Sequence, residues 1–385
     1  MGLGAARVRR ALHVAFLTSA RVWRGSGVSL ANIARGLVDR GHQCHMLAGD
    51  DVVVEGFIER GLPAGRIATA NTTLRGALLL SRKLRSLRAD CLVVDRPRDL
   101  RLGALASLTY PLRLINRYNL SRVNPPRDLL SRLAYLKVRL TIFVSHASAR
   151  RALDAAPYIH RRPYRVIHEG VSPEFHSDPA AAAAFRTSWQ LGSREFVLAV
   201  GSLTAEKRYD FLMEVWQRLG PEAPQLVICG GGPLADSIRA HALARALDVR
   251  LLGPVPPEVL AGAYSAATCL VHACEVETFG LSVLEAMACG QSVVAVRGGA
   301  VPEVLDDAGI LTPPNDADAF AGRVRELLSD RELRAKLGSA ARRRAQTFSL
   351  ARMQDAYSRA IEGVCSHPRS LRTTFENADP APPHL

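Results

Sequence analysis

The stretch ETFGLSVLEAMACGQSVVAVRGGAVPEVL, residues 277–305, alternates helical patterns with a short apolar strand. Residues Leu281 to Ala288 have the apolar spacing of a helix, SVVAV is a nearly continuous apolar run rich in valine, and a second helix is entered at Pro302. A nearly continuous apolar strand between helices is typical of a parallel sheet that is covered on both faces. This stretch therefore predicts an α/β fold.

The same alternation extends upstream, with an interruption at SPEFHSDPAAAAAF. After it come strand-like EFVLAVGSL, QLVICGGG, VRLLG and TCLVHAC, with helices expected at Tyr209–Leu219 and from about Leu234 to Leu247. Before it come HVAFLTS, QCHMLAG, DCLVVD and LTIFVS, with a helix expected over Ser29–Arg40. Two doubly wound, Rossmann-like domains facing a cleft are predicted, with their boundary near residues 173–192.

These patterns divide the chain into four segments. We expect an N-terminal domain over residues 1–175 and a C-terminal domain over 190–345. A long helical stretch from Asp318 to about Gly363 closes the chain, and its last part, 346–365, is expected to pack back on the N-terminal domain. Residues 366–385 are rich in Pro and Ser and are expected to form a flexible tail.

Composition narrows the class of protein. The 385 residues are 48% hydrophobic, which excludes intrinsic disorder, and the longest uncharged run is interrupted by Gly, Ser, Thr and His, which argues against a bilayer span. Seven cysteines form no CxxC pair, and their odd number favours reduced thiols in a cytoplasmic protein. We expect a cytoplasmic location, with peripheral contact to the inner face of the cytoplasmic membrane as an option.

The positive charge is concentrated in the N-terminal half. Of a net charge of +14, residues 1–175 carry 29 basic and 12 acidic side chains, or +17, whereas the remainder carries 21 and 24, or −3. This asymmetry fits an anionic membrane surface, a phosphorylated acceptor or a nucleic acid. A codon bias that favours Arg over Lys is a fourth reading.

Two loops carry candidate anion-binding residues. In RGSGVSL (24–30), Gly25 and Gly27 follow a strand and precede a helix, so they could bring backbone N–H groups close to a ligand, or they could simply form a tight turn. In VGSLTAEKRYD (200–210), Lys207 follows a strand and could reach a phosphate, or it could be a solvated loop residue.

A third candidate is the pair of carboxylates in the opening stretch. Glu277 and Glu285 are separated by seven residues, and a helix that begins near Gly280 places Glu285 in its second turn. The free N–H groups at such a helix start can bind an anion, and carboxylates accept hydrogen bonds from sugar hydroxyls. Taken alone, the two residues could equally be surface carboxylates.

Assembled in order, VGSLTAEKRYD, LVICGGGP and the 277–305 stretch resemble the retaining, nucleotide-sugar glycosyltransferases of family 4, which have the GT-B fold. The resemblance is close over residues 194–349 and looser at the Gly25–Gly27 loop, at VSHASARRAL and at VIHEGVSPEFH. It implies transfer of a hexose from a UDP- or GDP-sugar to a glycan or glycolipid, in the synthesis of bacterial surface polysaccharide or lipopolysaccharide. Residues 1–175 would then be the acceptor-side domain and residues 190–345 the donor-binding domain. As the partner of the basic N-terminal half it favours an anionic membrane or a phosphorylated glycolipid, and no nucleic acid is expected. The implied donor is a substrate, and no separate cofactor is expected.

The resemblance also assigns roles to individual residues. Lys207 would hold the donor diphosphate, Glu277 the sugar hydroxyls and Glu285 the ribose, with Lys207 and Glu277 as the catalytic pair. The amides of Phe279, Gly280 and Leu281 would share the phosphate charge, and the Gly25–Gly27 loop would close over it. Such enzymes are thought to need no metal and no protein nucleophile, since the leaving phosphate takes the acceptor's proton on the same face.

Three departures from the family pattern are visible. Ser202 stands where an Arg is often found, so we include Arg208 among the donor-binding residues as its replacement. No His occurs in LINRYNLSR (114–122), where many members carry one near the acceptor, and Glu169 replaces the usual Asn before Gly170. Two alternatives therefore stay open: a nucleotide-sugar epimerase or hydrolase of the same fold, and a catalytically weakened GT-B scaffold that binds a partner.

Overall fold

The computed structural model describes residues 10–67, 72–119 and 128–366, which form two compact units. Unit 1 comprises Met1–Ile167 and Ala351–Leu385, and unit 2 comprises His168–Leu350. The tail predicted over 366–385 lies outside the described residues except for Ser366. No helix in the described ranges combines the length and the apolar character needed to cross a bilayer.

Unit 1 is a seven-stranded parallel sheet with helices between its strands, in the order β3-β2-β1-β4-β5-β6-β7. Its elements are β1 (His13–Thr18), α1 (Gly25–Val38), β2 (Gln43–Ala48), α2 (Asp51–Ile58), β3 (Ala64–Arg66), α3 (Leu74–Ser86), β4 (Cys91–Val94), α4 (Pro97–Ala106), β5 (Arg113–Tyr118), α5 (Leu129–Tyr135), β6 (Val138–Phe143), α6 (His146–Ala155) and β7 (Tyr164–Val166). The central strand β4 is buried along its whole length, as strands covered on both faces must be.

Unit 2 is a six-stranded parallel sheet in the order β10-β9-β8-β11-β12-β13. Its elements are α7 (Pro179–Ser188), β8 (Phe196–Val200), α8 (Tyr209–Leu219), β9 (Gln225–Cys229), α9 (Ala235–Ala244), β10 (Val249–Gly253), α10 (Pro257–Ala266), β11 (Cys269–His272), α11 (Leu281–Ala288), β12 (Val293–Val296), α12 (Val301–Leu305), β13 (Ile310–Thr312), α13 (Ala317–Ser329) and α14 (Arg331–Ala345). Helix α8 is anchored in the core of unit 2 by Trp216. This side chain is fully buried, and its indole Nε1 donates to the carbonyl of Pro224 at 2.8 Å.

The division between the units falls earlier than the junction near residues 173–192 that the sequence suggests. The proline- and alanine-rich stretch that interrupts the strand–helix pattern contains a helix, because Pro179–Ser188 forms α7 and packs on α10. Asp178 caps this helix by accepting from the amides of Ala180 and Ala181 at 2.9 and 3.0 Å. Alanine has the highest helix propensity, so once the cap is in place the run continues as a helix.

The predicted closing helical stretch consists of three helices, α13, α14 and a final helix. Asp330 ends α13 and caps α14 by accepting from the amide of Leu333 at 2.8 Å. After a short 3-10 turn at Gln346–Phe348, the final helix α15 (Leu350–Ser366) returns to unit 1. There Tyr357 accepts from Arg117 at 3.2 Å, and Gln354 packs against the bare Cα of Gly36.

The chain enters and leaves unit 2 at adjacent positions. Val171 donates its N–H to the carbonyl of Phe348 at 2.8 Å, and Leu350 donates to the carbonyl of Val171 at 3.1 Å. A Cβ on Gly170 would lie 2.6 Å from the Cα of Leu350, so only glycine permits this approach. The Glu169-Gly170-Val171 segment therefore forms the crossing point of the two chain passages.

Candidate functional site

The candidate site of unit 2 lies where the strand order reverses. The order runs β10-β9-β8 on one side and β11-β12-β13 on the other, so the reversal lies between β8 and β11. Lys207 is in the loop that follows β8, and Glu277 is in the loop that follows β11. Ligands of doubly wound sheets bind at this position, beyond the carboxyl ends of the strands.

Lys207 and Glu277 form an ion pair at this reversal point. The Lys207 Nζ donates to the Glu277 Oε2, and the side chains are only 19% and 12% exposed. Burial disfavours both charges, but the Lys207 ammonium and His272 hold the pKa of Glu277 well below its usual range. The pKa of Lys207 is raised, because its attraction to Glu277 outweighs its burial. Both groups are therefore ionised at neutral pH.

Two further side chains surround the Glu277 carboxylate. The His272 Nε2 lies 3.3 Å from the Glu277 Oε2, and the ligand atoms of His272, Cys274 and Glu277 are all within 4.8 Å of one another. Such a set resembles a soft-metal site. However, Lys207 already neutralises the carboxylate, and burial raises the pKa of the Cys274 thiol to about 11. In this structure the charge of the Glu277 carboxylate is therefore balanced by a cation of the chain itself.

Two glycines bring the chain after β12 against the Glu277 loop. Gly299 has φ +53°, and a Cβ there would lie 2.1 Å from the carbonyl oxygen of Glu277, while one on Gly298 would meet Glu275 at 2.5 Å. The amide of Ala300 then donates to the Glu277 carbonyl at 2.9 Å. The sequence analysis assigned no role to this pair, although a Gly-Gly one residue beyond a strand is a signal of close backbone approach.

Helix α11 begins at Leu281, close to the predicted start. Gly280 precedes it with φ +99°, a conformation that L-residues rarely adopt. The first N–H groups of a helix have no intrahelical acceptor, so those at Leu281 and Ser282 are available to an anion. Phe279 is buried, with its ring 5.9 Å from that of His168 and 5.8 Å from that of Phe348. Because a phenyl ring carries no polar hydrogen, Phe279 can donate only through its backbone N–H.

Glu285 is in the second turn of α11, and its carboxylate is engaged by a tyrosine. The Tyr264 hydroxyl donates to the Glu285 Oε2 at 2.7 Å. Burial raises the pKa of Glu285 to about 7, and this hydrogen bond opposes the rise. A ribose hydroxyl at this carboxylate would make the same kind of hydrogen bond as the tyrosine. The sequence analysis did not identify Tyr264.

The structure does not bring Arg208 to the Lys207–Glu277 pair. The Arg208 Nη1 donates to the Glu275 carboxylate, and the Nη2 donates to the Asn315 Oδ1 at 3.1 Å. Its backbone is left-handed, with φ +53°, which turns the side chain away from that of Lys207. Ser202 contacts Thr204 instead, with 3.2 Å between their hydroxyl oxygens. In this structure Arg208 is thus engaged by Glu275 and Asn315, and its role as the replacement of the family Arg stays a prediction.

The Gly25–Gly27 segment of unit 1 differs from its expected conformation. It is not a loop, since α1 begins at Gly25, and neither glycine has a positive φ. A Cβ on Gly27 would lie 3.0 Å from the ring of Trp23, so this glycine makes room for an aromatic ring. Its predicted role over the diphosphate stays a prediction.

Unit 1 has its own reversal point, between β1 and β4, and two carboxylates lie there. The Asp99 Oδ2 accepts from the amide of Ser19 at 2.9 Å, and Asp95 is buried beside it. Burial and the charge of Asp95 raise the pKa of Asp99 to about 8. Arg117 is also buried and donates to the Ser29 Oγ at 2.7 Å. The sequence analysis missed both carboxylates, although DRPRD directly after a strand marked them.

Two family models match the chain. The model described as "Glycosyl transferases group 1" matches residues 184–344, and the one described as "Glycosyltransferase Family 4" matches residues 23–175. The first range contains the Lys207–Glu277 site, and the second contains the reversal point of unit 1.

Curated relatives are similar over part of their length. The sulfoquinovosyl transferase SQD2 of Arabidopsis thaliana is 30% identical over 61% of this chain and 46% of its own. The O-antigen chain mannosyltransferase B of Escherichia coli is 32% identical over 40% of this chain and 42% of its own. The chain thus spans about half the length of the curated relatives that it matches.

The solved structures show the fold. HepE of Anabaena, in a complex with UDP-glucose, superposes with a TM-score of 0.81 over 91% of this chain and 100% of its own, at 18% identity. The structural likeness and the two parallel sheets indicate the same fold, and the two family models both describe glycosyltransferases. The chain belongs to the family-4 glycosyltransferases and has their GT-B fold.

Proposed function

We propose that the chain is a retaining, metal-independent hexosyltransferase that uses a UDP- or GDP-hexose. Its acceptor would be an anionic glycolipid or oligosaccharide used for bacterial surface polysaccharide or lipopolysaccharide. The observation that carries the proposal is the Lys207–Glu277 pair at the reversal point of unit 2, beside the first amides of α11. The relatives support it, because one is a sulfoquinovosyl transferase and another an O-antigen chain mannosyltransferase.

The site has the groups that departure of a nucleoside diphosphate requires. Negative charge develops on the leaving phosphate as the bond to the sugar C1 breaks, so donors fixed in advance lower the barrier. The buried ammonium of Lys207 supplies the cation, and the N–H groups of Leu281 and Ser282 supply fixed dipoles. Glu277 keeps its charge, since Lys207 and His272 lower its pKa, and it can accept from donor-sugar hydroxyls.

The same geometry makes Glu277 a poor base, because a carboxylate with a strongly lowered pKa holds a proton weakly. We therefore assign the acceptor's proton to the leaving phosphate oxygen on the same face of the sugar. The acceptor oxygen forms its bond to C1 from that face while the bond to phosphate breaks, so the anomeric configuration is retained. The His missing from residues 114–122 is then not needed as a base.

A transfer assay tests the proposal. Purified protein is incubated with labelled UDP- and GDP-hexoses and with candidate lipid-linked or oligosaccharide acceptors, and the anomeric configuration of the product is read by NMR. Lys207→Ala should lower kcat/KM by about 100-fold or more, since it removes a fixed donor to the leaving group. The matched control is Lys336→Ala, at an exposed lysine on α14.

Three results would contradict the proposal in different ways. An inverted product excludes the same-face mechanism. Donor hydrolysis or epimerisation at an undiminished rate without any acceptor identifies the epimerase or hydrolase alternative. Nucleotide binding without turnover of any donor identifies a binding scaffold.

A further inference from the structure

A basic cavity lies in unit 1, away from the reversal point. It has a volume of about 540 Å³ and is lined by Arg113, Lys137, Arg139 and Arg162, with Leu112 and Leu136 among its apolar walls. Arg113 is the first residue of β5, and Lys137 and Arg139 flank the first residue of β6. The cavity is therefore at the amino ends of these strands, whereas Asp95 follows the carboxyl end of β4.

The four cationic side chains lack acidic neighbours in the cavity. No Asp or Glu is among the lining residues, and within the part of the chain that the structure describes no carboxylate pairs with any of the four. The Arg162 Nη2 donates to the carbonyl of Leu136, which fixes its guanidinium at the rim. Four like charges around one space repel one another, and an anion in that space would relieve the repulsion.

Exposed leucines continue from the cavity along α5. Leu129, Leu130 and Leu133 are 69%, 64% and 49% exposed, and Leu136, which also lines the cavity, is 53% exposed. The opposite face of the helix is buried through Ser131, Ala134 and Tyr135. Of the 13 large hydrophobic residues that are exposed in the described ranges, 12 belong to unit 1, which also carries the excess positive charge.

This combination identifies the chemistry of a partner. A phosphate group can accept hydrogen bonds from the Arg and Lys side chains together, and a phospholipid, a nucleic acid or a soluble sugar phosphate could each supply that group. Leucines that project beside the phosphate site require an apolar neighbour, which neither a nucleic acid nor a soluble sugar phosphate provides. A headgroup and its acyl chains supply both parts within one surface.

We propose that this cavity binds the phosphate of an anionic phospholipid, with the leucines of α5 inserted beside it. The inference rests on the proposed membrane-linked acceptor, and it gives that contact a defined site. Unit 1 would dock through the amino ends of β5 and β6, which leaves the carboxyl ends of the strands to the reaction.

Vesicle flotation of the full chain tests this site. The parent protein should float with phosphatidylcholine vesicles that contain phosphatidylglycerol, and it should not float with phosphatidylcholine alone. The variants Lys137→Gln/Arg139→Gln and Leu130→Ser/Leu133→Ser should each lower the partition coefficient by roughly tenfold, because each removes one part of the contact. The matched controls lie in unit 2: Arg245→Gln/Arg331→Gln and Leu243→Ser, at a leucine that is 84% exposed.

These outcomes distinguish a failure of the lipid site from a failure of the proposed transferase function. Parent-like flotation of both unit 1 variants, or equal flotation with neutral vesicles, overturns the lipid site. Binding to a duplex oligonucleotide without flotation also overturns it. Thermal shifts with UDP- and GDP-hexoses are measured on the same variants and should not change, so a failed donor site is recognised independently. If a double variant fails to fold, the single variants Lys137→Gln and Leu133→Ser replace it.

Discussion

At the scale of single residues, the Lys207–Glu277 pair should dominate the stability of its loops. Each side chain is mostly enclosed, so removal of one partner leaves the other charge poorly solvated. We expect Lys207→Met and Glu277→Gln each to lower the free energy of unfolding by about 2–4 kcal/mol. The double variant should lose less than the sum, because both changes remove the same interaction. Urea unfolding of the four proteins measures this coupling.

The controls for this cycle lie on α14. Lys336→Met and Glu332→Gln change exposed side chains and should alter the unfolding free energy by no more than about 0.5 kcal/mol. Losses at Lys207 and Glu277 that add without coupling would show that the ion pair does not form in solution.

Glu285 should make stability fall as the pH rises. Its pKa is about 7 in the folded chain and near 4.5 without the protein environment. Its contribution is thus fully present below about pH 4.5 and is lost as the pH rises through about 7. Glu285→Gln stays neutral, so its unfolding free energy relative to the parent should increase by about 1–3 kcal/mol from pH 5 to pH 8. Denaturant unfolding at both pH values checks this.

A matched control for the pH experiment is Glu332→Gln, which should keep the parent's pH dependence. Tyr264→Phe should steepen the loss, because the hydroxyl that favours the ionised form is removed. A parent and a Glu285→Gln variant with the same pH profile would contradict the raised pKa.

The side-chain partners at the site were harder to predict than the site itself. The positions of Lys207, Glu277 and Glu285 relative to strands and helices follow from local sequence patterns. The diversion of Arg208 to Glu275 and Asn315 depends on a left-handed backbone and on a residue 107 positions away. The contact of Tyr264 with Glu285 was equally hard to predict, because it joins two helices that no local pattern places side by side.

At the scale of elements, the turn after β12 should not tolerate a side chain. Gly299→Ala puts a methyl group 2.1 Å from the Glu277 carbonyl oxygen, at a positive φ, so the Glu277 loop must move. We expect a loss of about 2 kcal/mol or more in unfolding free energy, together with weaker donor binding. Gly280→Ala should be milder, at about 1 kcal/mol, because no neighbouring atom lies closer than 3.4 Å to the added carbon.

Gly322 on α13 provides the matched control, since a Cβ there meets nothing within 4 Å. Gly322→Ala should stabilise the chain by about 0.5–1 kcal/mol, as alanine is the better helix former. Denaturant unfolding and titration with nucleotide measure both effects. Parent-like donor affinity in Gly299→Ala would show that this turn does not position Glu277.

The elements themselves were largely predictable. The helices at Tyr209–Leu219 and Leu281–Ala288 occur at the expected residues, because each has a regular apolar face between strand-like runs. Two errors have local causes. The alanine run after Pro179 was assigned to the domain boundary although Asp178 caps a helix there, and the break between α13 and α14 at Asp330 was not predicted within the helical stretch that begins at Asp318.

At the scale of the whole molecule, the end of the chain contributes to the core of unit 1. Ile361 of α15 is fully buried, as is Tyr357, which contacts Arg117. Ile361→Ala should therefore lower the unfolding free energy by about 2–4 kcal/mol. The control Arg359→Ala removes only an exposed pair with Asp355 and should cost no more than about 0.5 kcal/mol. An undiminished midpoint in Ile361→Ala would show that α15 does not pack in solution.

Donor binding gives a second readout for this variant. The residues proposed to hold the donor all lie in unit 2 except Gly25 and Gly27, so Ile361→Ala should keep its nucleotide-induced thermal shift. The two units also differ in charge, because the excess of Lys and Arg over Asp and Glu lies within residues 1–175, most of which belong to unit 1.

The adjacent chain passages at Val171 and Leu350 have a consequence for engineering. Unit 2 is one uninterrupted segment, and unit 1 is composed of the segments on either side of it, so the protein has the topology of a domain inserted into a host. Because the ends of the insert are hydrogen-bonded to each other, residues 168–350 can be exchanged as one cassette without rerouting the host chain. Grafting the corresponding segment of a relative at these two junctions, and comparing the sugars that the parent and the chimera accept, would test whether unit 2 determines the sugar preference.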